Sequence, residues 1–292
     1  MKETVRVAAV AVDTQPGCVD DNLHKLDHWC EQAASAGAEL VLFPELSLTG
    51  FLPNHASGDH EAWLRAAFKT ARAMAVPLSG PAVASLNDIA ARRGVLVSAG
   101  LLEDAGNLLF NAQVLVDGNG LVGVWRKMHV PMFEAPFYNG GGPAHVVETK
   151  LGRIGINICF DVFFPESTRL LAVANAEIVL CPFAADPAPR TPAGWGEWAG
   201  PALQARCTEN GLFAVACNYV GRVESDGIGQ TFPGGGMMVD PRGRKMVTWS
   251  APAGEPGMLI AELEAATLRA ARSEPEYLLP FRRPELYHSL AE

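Results

Sequence analysis

Short apolar segments and amphipathic segments alternate along the first half of this chain. The segment VRVAAVAV at residues 5–12 is rich in β-branched residues and predicts a strand. Residues 22–36 carry apolar side chains at a period near 3.6 and predict a helix. The same reasoning predicts strands at 39–43, 95–100, 112–116, 153–159, 178–181, 212–217, 236–240 and 257–261, and helices at 85–93, 165–175 and 201–210. Alternation of this kind is typical of an α/β layered domain whose apolar strands are buried on both faces.

The chain shows no internal repeat and no linker, so we predict one domain over residues 1–292 with a C-terminal extension from about residue 265. Residues 184–200 (AADPAPRTPAGWGEWAG) are rich in Pro, Gly and Ala and predict a long loop. Long loops are often functional, so Trp195 and Trp198 are candidates to line a pocket. The alternative is that both indoles pack this loop against the body of the protein.

Charge and hydropathy exclude several classes of partner. The formal net charge is −9, and nucleic acids and anionic membranes both require basic patches on a protein. No apolar stretch approaches the roughly 20 residues of a membrane helix, and the first residues lack the pattern of a signal peptide. We therefore expect a soluble, cytoplasmic protein that binds neither nucleic acid nor a membrane.

The six cysteines point to reduced thiols. No pair has the spacing C-x-x-C, and six cysteines in 292 residues are too few for a disulfide framework. The pattern also lacks the ligand spacing of a zinc site. We expect no metal and no cofactor.

Three polar residues follow predicted strands, where ligand sites in α/β sheets gather. Glu45 follows LVLF, Lys127 follows the strand-like stretch 121–125, and Cys159 closes the apolar run GINIC. Each has a simpler interpretation, as a surface glutamate, a surface lysine or an inert core thiol. Asp161 and the Pro165 turn start a helix after Cys159, and a thiol at a strand–helix junction is favoured as thiolate.

Together the three side-chain types suit acyl transfer. A carboxylate can take the thiol proton, the thiolate can attack an amide-like carbon, and a lysine can stabilise the oxyanion. His129, two residues after Lys127, is an alternative general base that would form a Cys–His pair. Spacing alone does not show that the residues meet in space.

The stretches around these residues resemble the motifs of the nitrilase superfamily, the carbon–nitrogen hydrolases. They are LVLFPELSLTGF around Glu45, RKMHVPMFE around Lys127 and GINICFDVFFPE around Cys159. Supporting matches are ENG at 209–211, NYVG at 218–221, VDPRG at 239–243 and RRPELY at 282–287. The resemblance extends over residues 5–287, nearly the whole chain.

The resemblance implies a fold and a set of roles. The fold would be a four-layer α-β-β-α sandwich. Glu45 would be the general base and Cys159 the nucleophile, while Lys127 and the backbone N–H after Cys159 would stabilise the tetrahedral intermediate. Glu134 matches a second glutamate that many members carry, which orients the lysine and the substrate. Members usually assemble as homodimers or larger homo-oligomers through helices that here would include residues 165–175.

The sequence Cys159-Phe160-Asp161 is similar to the amidase and N-carbamoyl amidohydrolase branches, whereas true nitrilases usually have Cys-Trp-Glu. A small amide or ureido substrate is therefore expected, with ammonia released. A nitrilase, a non-catalytic binding member and an acyl transferase are the alternatives. Candidate pocket residues are Phe133, Tyr138, Phe160, Trp195 and Trp198.

Overall fold

Two six-stranded sheets stacked face to face form the centre of the computed structural model, which describes residues 1–54 and 59–291. In chain order the strands are β1 (Thr4–Ala11), β2 (Leu40–Leu42), β3 (Leu96–Asp104), β4 (Leu109–Val116), β5 (Leu121–Arg126), β6 (Val146–Thr149), β7 (Gly152–Ile156), β8 (Ile178–Phe183), β9 (Phe213–Asn218), β10 (Val220–Ser225), β11 (Ile228–Pro233), β12 (Gly236–Val239), β13 (Lys245–Thr248) and β14 (Gly257–Glu264). The helices are α1 (Val19–Ser35), α2 (His60–Met74), α3 (Pro81–Arg93), α4 (Pro165–Val173), α5 (Pro192–Asn210) and α6 (Ala265–Arg272).

Both sheets are mixed. The first has the order β14-β1-β2-β3-β4-β5, with β1, β2 and β3 parallel. The second has the order β13-β12-β9-β8-β7-β6, with β7, β8 and β9 parallel. Strands β10 and β11 form a separate antiparallel hairpin. Parallel neighbours end at the same edge of a sheet, so the residues after β2, β7 and β8 can face a common cleft.

The apolar faces stack in four layers. Leu42 of the first sheet shares a core with Leu180 and Val215 of the second. On the outer side of the first sheet, Val41 packs in a core with Leu26 of α1 and other residues of α1 and α3. Helices α4 and α5 pack on the outer face of the second sheet. The predicted α-β-β-α sandwich is confirmed.

The predicted loop at residues 184–200 is wrong in its second half. Helix α5 begins at Pro192, and Thr191 caps it by accepting a hydrogen bond from the Gly194 N–H at 3.0 Å. Proline in a first helical turn loses no hydrogen bond, so the Pro- and Gly-rich composition was misleading here. The helix continues through Pro201 and ends before Gly211, which has φ +58.

Two further differences concern α2 and β7. Helix α2 was not predicted, although Trp63, Ala67, Ala71 and Met74 form its buried stripe. The strand predicted to reach Cys159 ends at Ile156.

In the part of the chain that the structure describes, no helix combines the length and apolarity needed to cross a bilayer.

The turn that carries Glu45 packs directly on β3. Leu48 N–H donates to the Gly100 carbonyl at 2.7 Å, and Gly100 N–H donates to Ser47 Oγ at 3.2 Å. A Cβ at position 100 would lie 2.1 Å from the Leu46 nitrogen. Glycine is therefore required at this position for the turn to reach the sheet.

We expect Gly100→Ala to lower the free energy of unfolding by about 1–3 kcal/mol, the usual cost of forcing extra atoms into a packed interior. Urea denaturation measures the change. The matched control is Gly142→Ala, since a Cβ there meets nothing within 4 Å. Equal stability of Gly100→Ala and the control would contradict the close approach.

Candidate active site

The predicted chemical residues meet where several strands end. Glu45 follows β2, Lys127 follows β5, and Cys159 lies three residues beyond the end of β7. Glu134 reaches the same point from the short turn that follows Lys127. All four side chains are buried. The structure therefore brings together the four residues that the sequence motifs single out.

Lys127 is the centre of the cluster. Its Nζ lies 2.7 Å from Glu45 Oε1 and 2.7 Å from Glu134 Oε2. Burial disfavours its charge, but the carboxylates of Glu134 and Glu45 outweigh burial and raise the pKa of Lys127 well above its ordinary value. The ammonium group is therefore a fixed positive charge at any physiological pH.

Glu45 uses its two oxygens differently. Oε1 accepts from Lys127 Nζ and from Asn111 Nδ2 at 2.6 Å, so both of its lone pairs are occupied. Oε2 accepts from the Ala184 N–H at 3.0 Å, which leaves it one further acceptor direction. The geometry therefore favours Oε2 as the atom that exchanges a proton with a neighbour.

Asn111 was missed by the sequence reasoning. It lies on β4, is buried, and donates to Glu45 Oε1, while its backbone carbonyl accepts from the Lys127 N–H at 2.8 Å. One residue thus positions both Glu45 and Lys127. The available signal was a pair of amide side chains, Asn111 and Gln113, in the otherwise apolar strand LFNAQVLV.

Cys159 occupies a strained elbow. Its φ is +48, an unusual value for a residue with a side chain, and the backbone turns there from β7 into a 3₁₀ segment over Cys159–Phe163. Burial raises the pKa of Cys159 well above its ordinary value, and the charge of Glu45 adds to this. Lys127 and the Ala184 N–H oppose the shift without reversing it.

The resting cysteine is therefore a neutral thiol. This corrects the expectation that the strand–helix junction alone would favour a thiolate, because burial exceeds the effect of the backbone N–H groups. A base must take the proton during attack. The Ala184 N–H contacts both Cys159 and Glu45 Oε2, so the thiol and this carboxylate oxygen share a neighbour.

Glu134 titrates near neutrality. Burial raises its pKa to about 7, and the nearby charge of Glu45 contributes in the same direction. Lys127 lowers it through the ion pair but does not cancel the rise. The Lys127 ammonium group thus faces two carboxyl groups, and Glu134 binds a proton more readily than an ordinary glutamate does.

Asp161 ties the cysteine elbow to the chain after Lys127. Its carboxylate accepts from the Ile158 N–H at 3.2 Å, the His129 N–H at 2.8 Å and the Met128 N–H at 3.3 Å. It also contacts His129 Nδ1 at 2.8 Å, and the His129 ring stacks on Phe164. The imidazole is held by these contacts, so the geometry favours Glu45 over His129 as the partner of Cys159.

A cleft of about 1010 Å³ opens above Cys159 and Glu134. Phe133, Phe160 and Trp198, three of the candidate pocket residues, line it. Trp63 and His60 of the unpredicted helix α2 also belong to the lining.

Two predicted pocket residues are placed elsewhere by the structure. Trp195 is fully buried on the inner side of α5 and meets the Phe183 ring edge-on at 5.4 Å. It packs the helix to the sheet, which was the alternative interpretation of this indole. Tyr138 is buried behind Phe137 instead of lining the cleft. Burial raises the pKa of Tyr138, and the neighbouring Glu134 and Glu45 add to the shift.

Residues 1–54 and 59–291 contain no cluster of side chains suited to bind a metal ion. No group of three or more His, Cys, Asp or Glu side chains in these ranges is placed to hold a metal ion. The chemistry proposed below uses only side chains, backbone groups and water.

Comparisons with known proteins agree with the fold and the motifs. The sequence model of the carbon–nitrogen hydrolase family matches residues 6–273. A protein of Pyrococcus abyssi described as a nitrilase is 30% identical over 287 residues, covering 97% of this chain and 99% of its own. An (R)-stereoselective amidase of Pseudomonas sp. is 33% identical over 248 residues, covering 84% of this chain and 81% of its own.

A solved structure has the same fold. It is a double mutant of the amidase from Nesterenkonia sp. AN1 in complex with acrylamide, with a TM-score of 0.75 at 24% identity. The similarity covers 99% of this chain and 97% of that chain.

The pKa of Glu134 predicts a pH dependence of stability. Its folded-state value of about 7 exceeds the ordinary value of 4.5, so its contribution to stability is complete below about pH 4.5 and is lost as the pH rises through about 7. We therefore expect the free energy of unfolding of the wild type, relative to Glu134→Gln, to fall between about pH 5 and about pH 8. Urea denaturation at both pH values measures it.

The control is Glu255→Gln, which removes an exposed carboxylate. Its stability relative to the wild type should change little over the same interval. A constant difference between wild type and Glu134→Gln at the two pH values would contradict the raised pKa.

Proposed function

The chain belongs to the carbon–nitrogen hydrolase family, and we propose that it is an amidase that releases ammonia from a primary amide or an N-carbamoyl compound. The observation that carries the proposal is the buried contact of Lys127 with Glu45 and Glu134, beside Cys159 at the base of an open cleft. The order Cys159-Phe160-Asp161 supports amide or ureido substrates over nitriles.

The first chemical step is attack by sulfur. Cys159 Sγ forms a bond to the carbonyl carbon while its proton passes to Glu45 Oε2, the oxygen with a free acceptor direction. The carbonyl π electrons move to oxygen and give a tetrahedral oxyanion. Lys127 and the backbone N–H of Phe160 stabilise that charge.

The second step expels ammonia. The oxyanion re-forms the carbonyl bond, the C–N bond breaks, and Glu45 returns the proton to the leaving nitrogen. A thioester on Cys159 remains. Water then gives its proton to Glu45 and attacks the thioester, and the thiolate recovers a proton as the acid product leaves. The sum is amide plus water giving acid plus ammonia.

Lys127 and Glu134 support both steps. Because the pKa of Lys127 is raised, it acts as a permanent electrostatic group and not as a proton donor. Glu134 holds the ammonium group at 2.7 Å and lines the cleft, so it fixes the lysine and faces the substrate. Glu134 is therefore a positioning residue for Lys127 with access to the bound substrate.

A nitrilase is the second candidate, since the P. abyssi relative is described as one. The same cysteine would attack the nitrile carbon and give a thioimidate in place of the tetrahedral oxyanion.

Assembly as a homo-oligomer stays a prediction. Leu170 and Val173 are half-exposed apolar residues of α4, the helix through which assembly is predicted.

Ammonia release from aliphatic amides, aromatic amides, N-carbamoyl amines, N-carbamoyl amino acids and nitriles tests the proposed function. We expect release from an amide or ureido class and a loss of at least about 10³-fold in Cys159→Ala, because the nucleophile is removed. The matched control is Cys18→Ala, which removes an exposed thiol and should leave the rate unchanged.

Three results would contradict the proposal. Release that survives in Cys159→Ala would show that this thiol is a core residue. Release from nitriles alone would favour the nitrilase. No release from any class in the wild type would favour a non-catalytic member.

A further inference from the structure

We propose that the cleft selects substrates whose acyl or carbamoyl substituent is neutral and apolar, and that it excludes substrates carrying a carboxylate at the far end. The inference rests on the proposed function and names its substrate class. It depends on three features of the cleft wall: its aromatic surface, its charge and the pairing of its polar groups.

The wall is mainly aromatic and aliphatic. The rings of Trp63, Phe133, Phe160 and Trp198 line the cleft, together with several prolines. Phe133 is 54% exposed and Trp198 is 40% exposed in the free protein. A substrate chain that covers these rings removes apolar surface from water, so longer apolar chains should bind more strongly.

The charges on the wall are unfavourable for a carboxylate. Among the described lining residues the acids are Glu134 and Asp186, the basic side chain is His60, and neither lysine nor arginine is present. Lys127 lies behind the wall and is engaged by two carboxylates. Arg190 lies outside the lining and pairs with Asp186 at 3.1 Å.

A carboxylate placed here would lose water without gaining a lysine or arginine partner among the described lining residues, and it would face two acids. Burial of a charge is costly unless it is paired. An apolar chain of the same length has no such penalty. The wall therefore discriminates by charge as well as by shape.

The polar groups of the wall are already paired with one another. The Asn54 N–H donates to Gln230 Oε1 at 3.1 Å, and Gln230 Nε2 donates to Asp186 Oδ1 at 3.2 Å. Gln230 comes from β11 and Asp186 from the segment after β8, so the network joins two separate parts of the chain. An apolar substrate leaves none of these paired groups in need of a new partner.

The test compares kcat/KM along the series propanamide, butanamide, pentanamide and hexanamide, and then compares hexanamide with adipamate, its ω-carboxylate analogue. If the ureido class is the active one, the corresponding alkylureas replace the amides. We expect kcat/KM to rise about fourfold per methylene, from about 0.8 kcal/mol per buried CH₂. Adipamate should be at least about 100-fold poorer than hexanamide, as expected for an unpaired charge.

Two variants test which side chains of the cleft wall cause the preference for apolar substrates. Phe133→Arg introduces a cation at a half-exposed wall position and should narrow the preference for hexanamide over adipamate by about tenfold. Phe281→Arg is the matched control, since Phe281 is 69% exposed and does not line the cleft. Trp198→Ala should flatten the dependence on chain length.

The outcomes separate the inference from the proposed function. Hydrolysis of amides with no dependence on chain length, or with adipamate as good as hexanamide, overturns the selection and leaves the amidase in place. Hydrolysis of no amide or urea removes both. An equal effect of Phe133→Arg and Phe281→Arg would show that the charge of the cleft wall does not discriminate.

Discussion

One ammonium group holds the candidate site together. Lys127 is fully buried and binds Glu45 and Glu134 at 2.7 Å each. A buried charge that loses its partner costs about 3–5 kcal/mol, so each of the three residues depends on the other two. The same contacts keep the lysine protonated, while burial and the charge of Glu45 raise the pKa of Glu134. Structure and proposed chemistry thus rest on the same interaction.

The fold supplies that cluster from separate turns, each fixed against a strand. The Glu45 turn reaches β3 through the space left by Gly100, and Asp161 ties the elbow of Cys159 to the chain after Lys127. Asn218 holds the segment after β8 by accepting from the Ala185 N–H and donating to its carbonyl, both at 2.9 Å. This segment supplies the Ala184 N–H that contacts Glu45 and Cys159. The precision of the site therefore comes from loops anchored by buried hydrogen bonds.

The local patterns of the sequence predict an α/β layered domain with polar residues at strand ends, and the resemblance to known motifs predicts its four-layer form. Apolar strands with polar residues at their ends mark Glu45, Lys127 and Cys159, and the motifs add Glu134. The role of Asn111 and the burial of Trp195 depend on which strands and helices become neighbours, and periodicity does not contain that information. The direction of the pKa shift of Cys159 has a related origin, since burial in the assembled site decides it and the strand–helix junction alone does not show it.

The central claim is that Cys159 carries the acyl group during turnover. The most direct measurement is mass spectrometry of enzyme mixed with an amide substrate and quenched with acid within the first turnover, followed by peptide mapping. We expect a mass increase of one acyl group on the peptide that contains Cys159. Turnover with Cys159 unmodified and the acyl group on another residue, or on none, would contradict it.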